Sequence, residues 1–405
     1  MILSALKKHT VLCFSFIGAL AVSAGSQAQS LPPVETKAAN TTYKPAFPGQ
    51  TRIGGVKTKT PLAITLISKT LDHPWGICVL PDGRFLISEK MGTMAIVTKD
   101  GRTVKKISGL PAVVPAGQGG LLDVAIDPQF NTNRMVYWDY SEQTETGTLL
   151  AIAKGKLSAD ETKINNIQVI YRATPAYKGT LQFGSRIVFD KGGNLFVTTG
   201  ERSGMDIRMQ AQDLKSALGK VIHITKTGKP VPGGPFTKTP GARPEIYAYG
   251  LRSPEGLALN PITGELWESE FGPRGGDEIN IIRAGKNYGW PVVTYGIEYS
   301  GLKVGDAIQQ KEGVQQPVYY WDPVVSPAGI VFYNSNVIPE WKGNLFVGGL
   351  SSTHIARLVL KNNKVVGEER LLEDQKERFR ALAVGKDGAL YAITDSGKFY
   401  RIAKK

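Results

Sequence analysis

One motif recurs six times along this chain, and few folds accommodate such a repeat. An alternating apolar run meets a turn rich in Pro, Asp, Asn or Gly, and a second apolar run follows. Residues 76–80 turn at Pro81-Asp82-Gly83 into 85–87. Residues 122–126 turn at Asp127-Pro128 into 135–138. Residues 187–189 turn at Asp190-Lys191-Gly192-Gly193 into 195–197. Residues 256–259 turn at Asn260-Pro261 into 266–267. Residues 329–333 lead through Trp341-Lys342-Gly343 to 345–347. Residues 381–384 turn at Lys386-Asp387-Gly388 into 390–393. A period of two marks a half-buried strand, so each unit reads as a β-hairpin.

The units begin roughly 45–75 residues apart, which leaves room for two more strands and a loop in each. A small sheet repeated six times cannot bury its faces alone. Closing the units into a ring buries them and removes the free edges. The sequence therefore predicts an all-β fold over 61–405, a six-bladed β-propeller of four-stranded antiparallel blades. A β-sandwich would leave the sixfold likeness to chance. Helical patterning is weak, amounting to a single turn near Gln210 to Leu218.

The segments before the repeats read differently. Lys7 and Lys8 precede an apolar stretch, 11–24, that is too short for a membrane span, and Ser26-Gln27-Ala28 resembles a cleavage site. Residues 1–28 are therefore expected to be a signal peptide, with export to the periplasm or the exterior. Residues 29–60 lack periodicity and read as an arm or linker. No later apolar run approaches the ~20 residues of a membrane span. Cleavage would remove Cys13 and leave Cys78 alone, so the fold must stand on its core without an intrachain disulfide.

The net charge is +14, and +12 after loss of Lys7 and Lys8. The lysines are scattered, which points to a solvated surface and attraction for an anionic ligand rather than to nucleic acid. Phosphate-cradling, zinc-binding, dinucleotide-binding and nucleophile-elbow motifs are all absent.

In a propeller, equivalent strand ends converge on the axis. The residues just after the second run of each unit include Glu89, Asp139, Glu201, Glu270 and Asp395. Such an acidic set can hold a metal or do acid–base work, while a single strand-end carboxylate is ordinarily just solvated. Arg378 and Arg380 alternate on one strand and so share a face, as a carboxylate clamp would. Three segments are too specific for scaffold alone. They are Gly117-Gln118-Gly119-Gly120, Tyr249-Gly250-Leu251-Arg252-Ser253-Pro254-Glu255, and Glu270-Phe271-Gly272-Pro273-Arg274-Gly275-Gly276-Asp277-Glu278-Ile279-Asn280 followed by Asn287-Tyr288-Gly289-Trp290-Pro291. The third is a Gly-rich acidic loop whose oxygens suit a hard cation.

Across about 71–402 these segments resemble the soluble aldose (glucose/sorbosone) dehydrogenases that use pyrroloquinoline quinone (PQQ). The resemblance implies that Gln118, Arg252, Ser253, Trp321, Arg378 and Arg380 contact the tricarboxylate quinone. It implies that the carbonyls of Gly272 and Pro273 hold a calcium ion, and that Glu278 and the carbonyl of Tyr288 hold a second. It implies a sugar substrate, oxidation of the C1 hydroxyl to a lactone, an external electron acceptor, and a monomer or homodimer. In that family a histidine takes the C1 hydroxyl proton, with an acidic partner at the position of Glu201.

This chain departs at the base itself. The family's His-Phe-Gly-Ser-Arg is Gln182-Phe183-Gly184-Ser185-Arg186 here, and an amide cannot hold a proton near neutrality. Phe271 stands where relatives often carry histidine, Ser253 where they carry asparagine, Ser351 near a cofactor-binding lysine, and Ala381 at an acidic position. Of the remaining histidines, His73 and His223 are expected to be packing residues, and His354 a candidate for approach to a ligand. Three readings stay open. The chain is a quinone-dependent dehydrogenase with an altered substrate or base, its catalytic set being Gln182, Glu201 and Arg252 with Glu201 able to serve as base if burial raises its pKa; or the propeller keeps its ligand without the oxidation; or it is a calcium-dependent lactonase, on fold-level analogy.

Overall fold

The computed structural model describes residues 31–405, so the signal-peptide reading of 1–28 lies outside the described residues. Six sheets follow one another along the chain, each built on a four-stranded antiparallel blade. The first blade consists of Pro74–Val79, Phe85–Glu89, Thr93–Val97 and Thr103–Ile107. The next five blades begin with Leu121–Ile126, Gly184–Phe189, Pro254–Leu259, Pro327–Phe332 and Phe379–Val384. These six first strands touch one another in sequence, and the sixth returns to the first. They form the wall of the axis, and the fourth strands lie outermost. All six hairpins read from the sequence are the first and second strands of the blades. Among the described residues, helix is confined to short turns such as Arg208–Ala211.

The ring closes by exchange between the two ends of the domain. The sixth blade takes its outermost strand from Leu62–Ser68, which pairs antiparallel with Phe399–Lys404. Between blades the core is apolar and aromatic. Trp138 and Trp267, both on second strands, are fully buried in the layers between neighbouring sheets. Large aromatic side chains fill these layers with few atoms to spare, which fixes the spacing of the blades.

Each first strand carries one extra residue near its start, so its register against the second strand shifts there in all six blades. A bulge of this kind bends the strand and re-aims side chains. In turn round the ring the bulges contain Trp75, Asp123, Arg186, Glu255, Gly329 and Arg380. The fold thus delivers residues outside the regular ladder from every blade to the same end of the axis.

Residues 31–60 run across the fourth and fifth blades. Leu31–Pro33 and Gly54–Gly55 pair with each other, and Gly55 pairs parallel with Glu368, extending the fifth blade's sheet to six strands. Gln50 is fully buried, its amide donating to the Pro317 carbonyl at 2.9 Å. Asp322 accepts four hydrogen bonds of 2.8–3.0 Å from Asn40 and Thr41, two from backbone and two from side chains. Replacing Asp322 by alanine strands those donors in a part-buried site. Denaturant unfolding is expected to show a loss of ~1–3 kcal/mol; an unchanged midpoint would mean that the arm does not belong to the cooperative unit.

Candidate active site

A cavity of about 480 Å³ opens where the bulges converge, with Trp75, Glu255 and Arg380 on its wall. That volume suits a small-molecule ligand. Its floor is built around Arg186. The guanidinium lies 4.2 Å from the centre of the Trp75 ring. It pairs with Asp123 at 3.1 Å and donates to the carbonyls of Glu255 at 2.6 Å and Arg380 at 3.1 Å. On the fifth blade, Gly329 leaves it room: a Cβ there would stand 3.0 Å from Nη2. On the first blade, Gly76 does the same for Asp123, where a Cβ would meet Oδ1 at 2.6 Å.

The acids read as strand ends are buried rather than solvated. Glu89, Asp139, Glu201 and Glu270 have almost no exposed surface, and of the five only Asp395 lines the cavity. Asp139 accepts the Asp123 N–H at 2.7 Å and the Ser185 hydroxyl at 2.6 Å. Burial first, and then the charge of Asp123, push the Asp139 carboxyl well above the usual carboxylate range.

Arg378 and Arg380 do converge, as expected from their alternation. The carboxylate they hold is the chain's own Asp395, which accepts from Arg378 Nε at 2.8 Å and from Arg380 Nε at 2.8 Å and Nη2 at 3.1 Å. Arg380 also meets Glu255 at 3.3 Å. Lys90 shares this wall and was missed, because it stands one residue beyond Glu89, the position compared across blades. Gln118 lines the cavity too, with its Oε1 accepting the Gln182 N–H at 2.6 Å.

Gln182, Glu201 and Arg252 come together directly behind this wall. Gln182 sits at φ +48°, a conformation uncommon for a residue with a side chain. Arg202 clamps its loop through the carbonyls of Gly179 and Leu181 and lies 3.7 Å from the Phe183 ring centre. The Gln182 carbonyl accepts the Arg202 N–H, and the Arg252 carbonyl accepts the Glu201 N–H at 2.9 Å. Each of the three side chains keeps a buried polar atom with no partner: Gln182 Oε1, Glu201 Oε2 and Arg252 Nε. Buried polar atoms are nearly always paired, so three orphans on neighbouring side chains make this cluster a candidate ligand site. Burial raises the Glu201 carboxyl to about 7, against the pull of Arg252.

Gly272 and Pro273 line the cavity. The Gly272 carbonyl accepts from Arg252 Nη1 at 2.8 Å. Glu278 and Tyr288 border a small void beside Arg252 and Glu270. There the Asn280 amide donates to Glu268, Glu270 and Glu278 at 3.1–3.4 Å. Among the described residues no set of three or more His, Cys, Asp or Glu side chains is arranged to hold a metal ion.

Several expectations are corrected. Trp321 does not reach the cavity. It lies on the outermost strand of the fourth blade, the strand farthest from the axis, packed in the core with its Nε1 donating to Glu368 at 3.2 Å. Ser253 is fully buried against Glu255. His73 is not a packing residue: its side chain is 65% exposed on the cavity rim, 2.7 Å from Asp72. His354 is buried away from the cavity, and burial lowers it to about 3. His223 is structural, stacked on Phe196 and bonded to Asp190.

Residues 71–401 match the model of the glucose/sorbosone dehydrogenase family. The chain belongs to that family. It is 39% identical over 347 residues to the aldose sugar dehydrogenase YliI of Escherichia coli, covering 84% of this chain and 93% of that protein. The crystal structure of the soluble E. coli aldose sugar dehydrogenase in its apo form superposes with a TM-score of 0.82 at 38% identity, covering 85% of this chain and all of the other. The PQQ-bound aldose sugar dehydrogenase of Streptomyces coelicolor superposes with a TM-score of 0.69 at 27% identity, covering 86% and 99%.

The raised Asp139 carboxyl gives the floor a signature in stability. The folded state holds that proton more tightly than the unfolded chain, so stability falls as pH rises from the ordinary carboxylate range through neutrality, by at most about 1.4 kcal/mol per pH unit. Asp139→Asn keeps the acceptor and removes the titration. Thermal unfolding of this variant is expected to match the wild type near pH 5 and exceed it near pH 8; parallel profiles would refute the assignment.

Proposed function

We propose that this protein is an exported, PQQ-dependent dehydrogenase that oxidises the C1 hydroxyl of an aldose to a lactone and passes electrons to an external acceptor. Family membership supports an oxidoreductase acting on CH–OH groups. The PQQ-bound relative supports the choice of cofactor. The residues present fit that group. The cavity is large enough, it carries Lys90, Arg378 and Arg380 for carboxylates, and it is backed by polar atoms that lack partners. The carbonyls of Gly272 and Pro273 are hard oxygen donors of the type calcium takes.

When bound, the quinone with its calcium supplies a polarised carbonyl that accepts two electrons as hydride from C1. The chain's own residues do the rest. Arg378 and Arg380 hold carboxylate while remaining tied to Asp395. Gln118 faces the cavity and fixes the Gln182 main chain. Gln182 Oε1, unpartnered behind the wall, is an acceptor that can receive a hydrogen bond but cannot take a proton.

Glu201 takes the proton of the C1 hydroxyl, directly or across one water. The observation that carries this is its Oε2, buried without a partner on a carboxyl poised near neutrality. Arg252 keeps it there: burial alone would raise the carboxyl further, and the neighbouring guanidinium draws it back. With Glu201 as base, kcat/KM is expected to rise with pH through about 7 and then level off. Glu201→Gln should cost ~10²–10⁴-fold and abolish that limb, while His73→Ala, which removes the imidazole on the rim, should change little. Steady-state kinetics on PQQ- and calcium-loaded protein tests this. A wild type that binds PQQ but turns over no aldose, with activity appearing only in Gln182→His, would instead identify a propeller that kept its ligand and lost its base.

A further inference from the structure

The charges on the cavity wall do not balance, and the surplus sits on one residue. Arg378 and Arg380 face two carboxylates. Asp395 is shared between them, and Glu255 meets Arg380 at 3.3 Å. Those four groups are formally neutral together. Lys90 is the third cation on the same wall, and it makes no salt bridge with any described carboxylate. Its one side-chain hydrogen bond runs to the Gly117 carbonyl at 2.7 Å. An ammonium has three donors, so at least two remain for a ligand. The group is half-buried, and burial and then the charge of Arg380 hold its pKa below the usual lysine value. Asp395 pulls the other way but is already shared between the two arginines, so a cation kept beside another cation with no ion pair of its own is an arrangement that an anion completes.

We propose that Lys90 is the principal anchor for a carboxylate of the bound quinone, contributed by the first blade across the cavity from the Gly272 loop. The proposal rests on the PQQ reading above. The arginine pair is already engaged by Asp395 and Glu255, so it orients an incoming anion more than it adds net charge. Lys90 supplies the uncompensated unit charge. Its bond to Gly117 also holds the loop that carries Gln118, so the same side chain sets anion and amide in fixed relation. Lys90 stands at the mouth of a first-blade hairpin, between Glu89, which is buried, and the loop 91–92. The backbone carbonyl of Lys90 accepts the Leu121 N–H at 2.9 Å, which fixes the residue from the second blade as well.

A merely structural lysine would hold the Gly117 loop and nothing more, and the two roles separate experimentally. PQQ binding is measured by absorbance titration in calcium-containing buffer, without substrate, at several salt concentrations. Lys90→Gln is expected to raise Kd by ~10- to 100-fold, the effect of a lost charge-assisted hydrogen bond. The salt dependence of Kd should become shallower, and Lys90→Arg should recover most of the affinity. The uncharged trimethyl ester of PQQ should bind wild type and Lys90→Gln alike. Equal PQQ affinity in wild type and Lys90→Gln overturns the proposal. So does a loss that also affects the ester, follows a fall in melting temperature of the apoprotein and is not recovered by arginine, because that pattern belongs to a loop staple. If the wild type itself binds no PQQ, the cofactor reading fails first, and this proposal falls with it.

Discussion

The arrangement at the floor of the cavity depends on one buried guanidinium. Arg186 lies where the six bulges meet, and it touches ring, carboxylate or carbonyl groups from the first, second, fourth and sixth blades. A buried cation is costly unless charge and hydrogen bonds satisfy it. Here the partners come from strands that the chain sequence separates widely, so the arginine is satisfied only when the ring is closed. The glycines at 76 and 329 belong to the same constraint, since a Cβ at either would intrude on the Arg186–Asp123 pair. The axis is thereby plugged by polar groups at one end and left open above them as a cavity.

This plug shapes the chemistry above it. Arg380 gives its carbonyl to Arg186 and its guanidinium to Asp395 and Glu255, so the positioning of the clamp follows from the packing of the floor. Glu255 likewise offers its carbonyl downward and its carboxylate upward. The wall is therefore preorganised by bonds that exist without any ligand, which lowers the ordering cost of binding. Buried carboxylates stand close behind it, at Asp139, Glu201 and Glu270. Desolvation raises each of them, and only Glu201 combines a carboxyl near neutrality with an unpartnered oxygen beside Gln182 and Arg252.

The fold was legible in the sequence because propeller hairpins announce themselves through short-range pattern, alternating apolar residues and turns such as Pro81-Asp82-Gly83. The clamp was legible for the same reason, since Arg378 and Arg380 flank Phe379 at the start of the sixth blade's first strand. What it clamps was not, because Asp395 arrives from the next strand and was read separately as a rim acid. Trp321 was misplaced because an aromatic residue near a specific motif says nothing about which of the four strands it occupies. His73 was misread because Pro74-Trp75 suggested packing, and Trp75 does pack while its neighbour turns out to the rim at φ +47°. The bulges escaped notice altogether. Each adds a single residue to a strand whose apolar alternation otherwise continues, and only the register reveals it.

A glutamine at position 182, where the family resemblance implies a histidine, is tolerable to the fold for a reason visible in the same bonds. The residue is fixed by its main chain: its N–H goes to Gln118, its carbonyl to Arg202, and its loop to the Arg202 guanidinium. No described hydrogen bond uses the Gln182 amide oxygen. The side chain can therefore change from imidazole to amide without disturbing the segment that positions it, and the cost falls on proton transfer alone. That separation places the burden of the chemistry on the nearest group that can titrate. On the proposed mechanism Glu201 is that group: its own N–H is tied to the Arg252 carbonyl, and the Arg252 charge draws its buried carboxyl back toward neutrality.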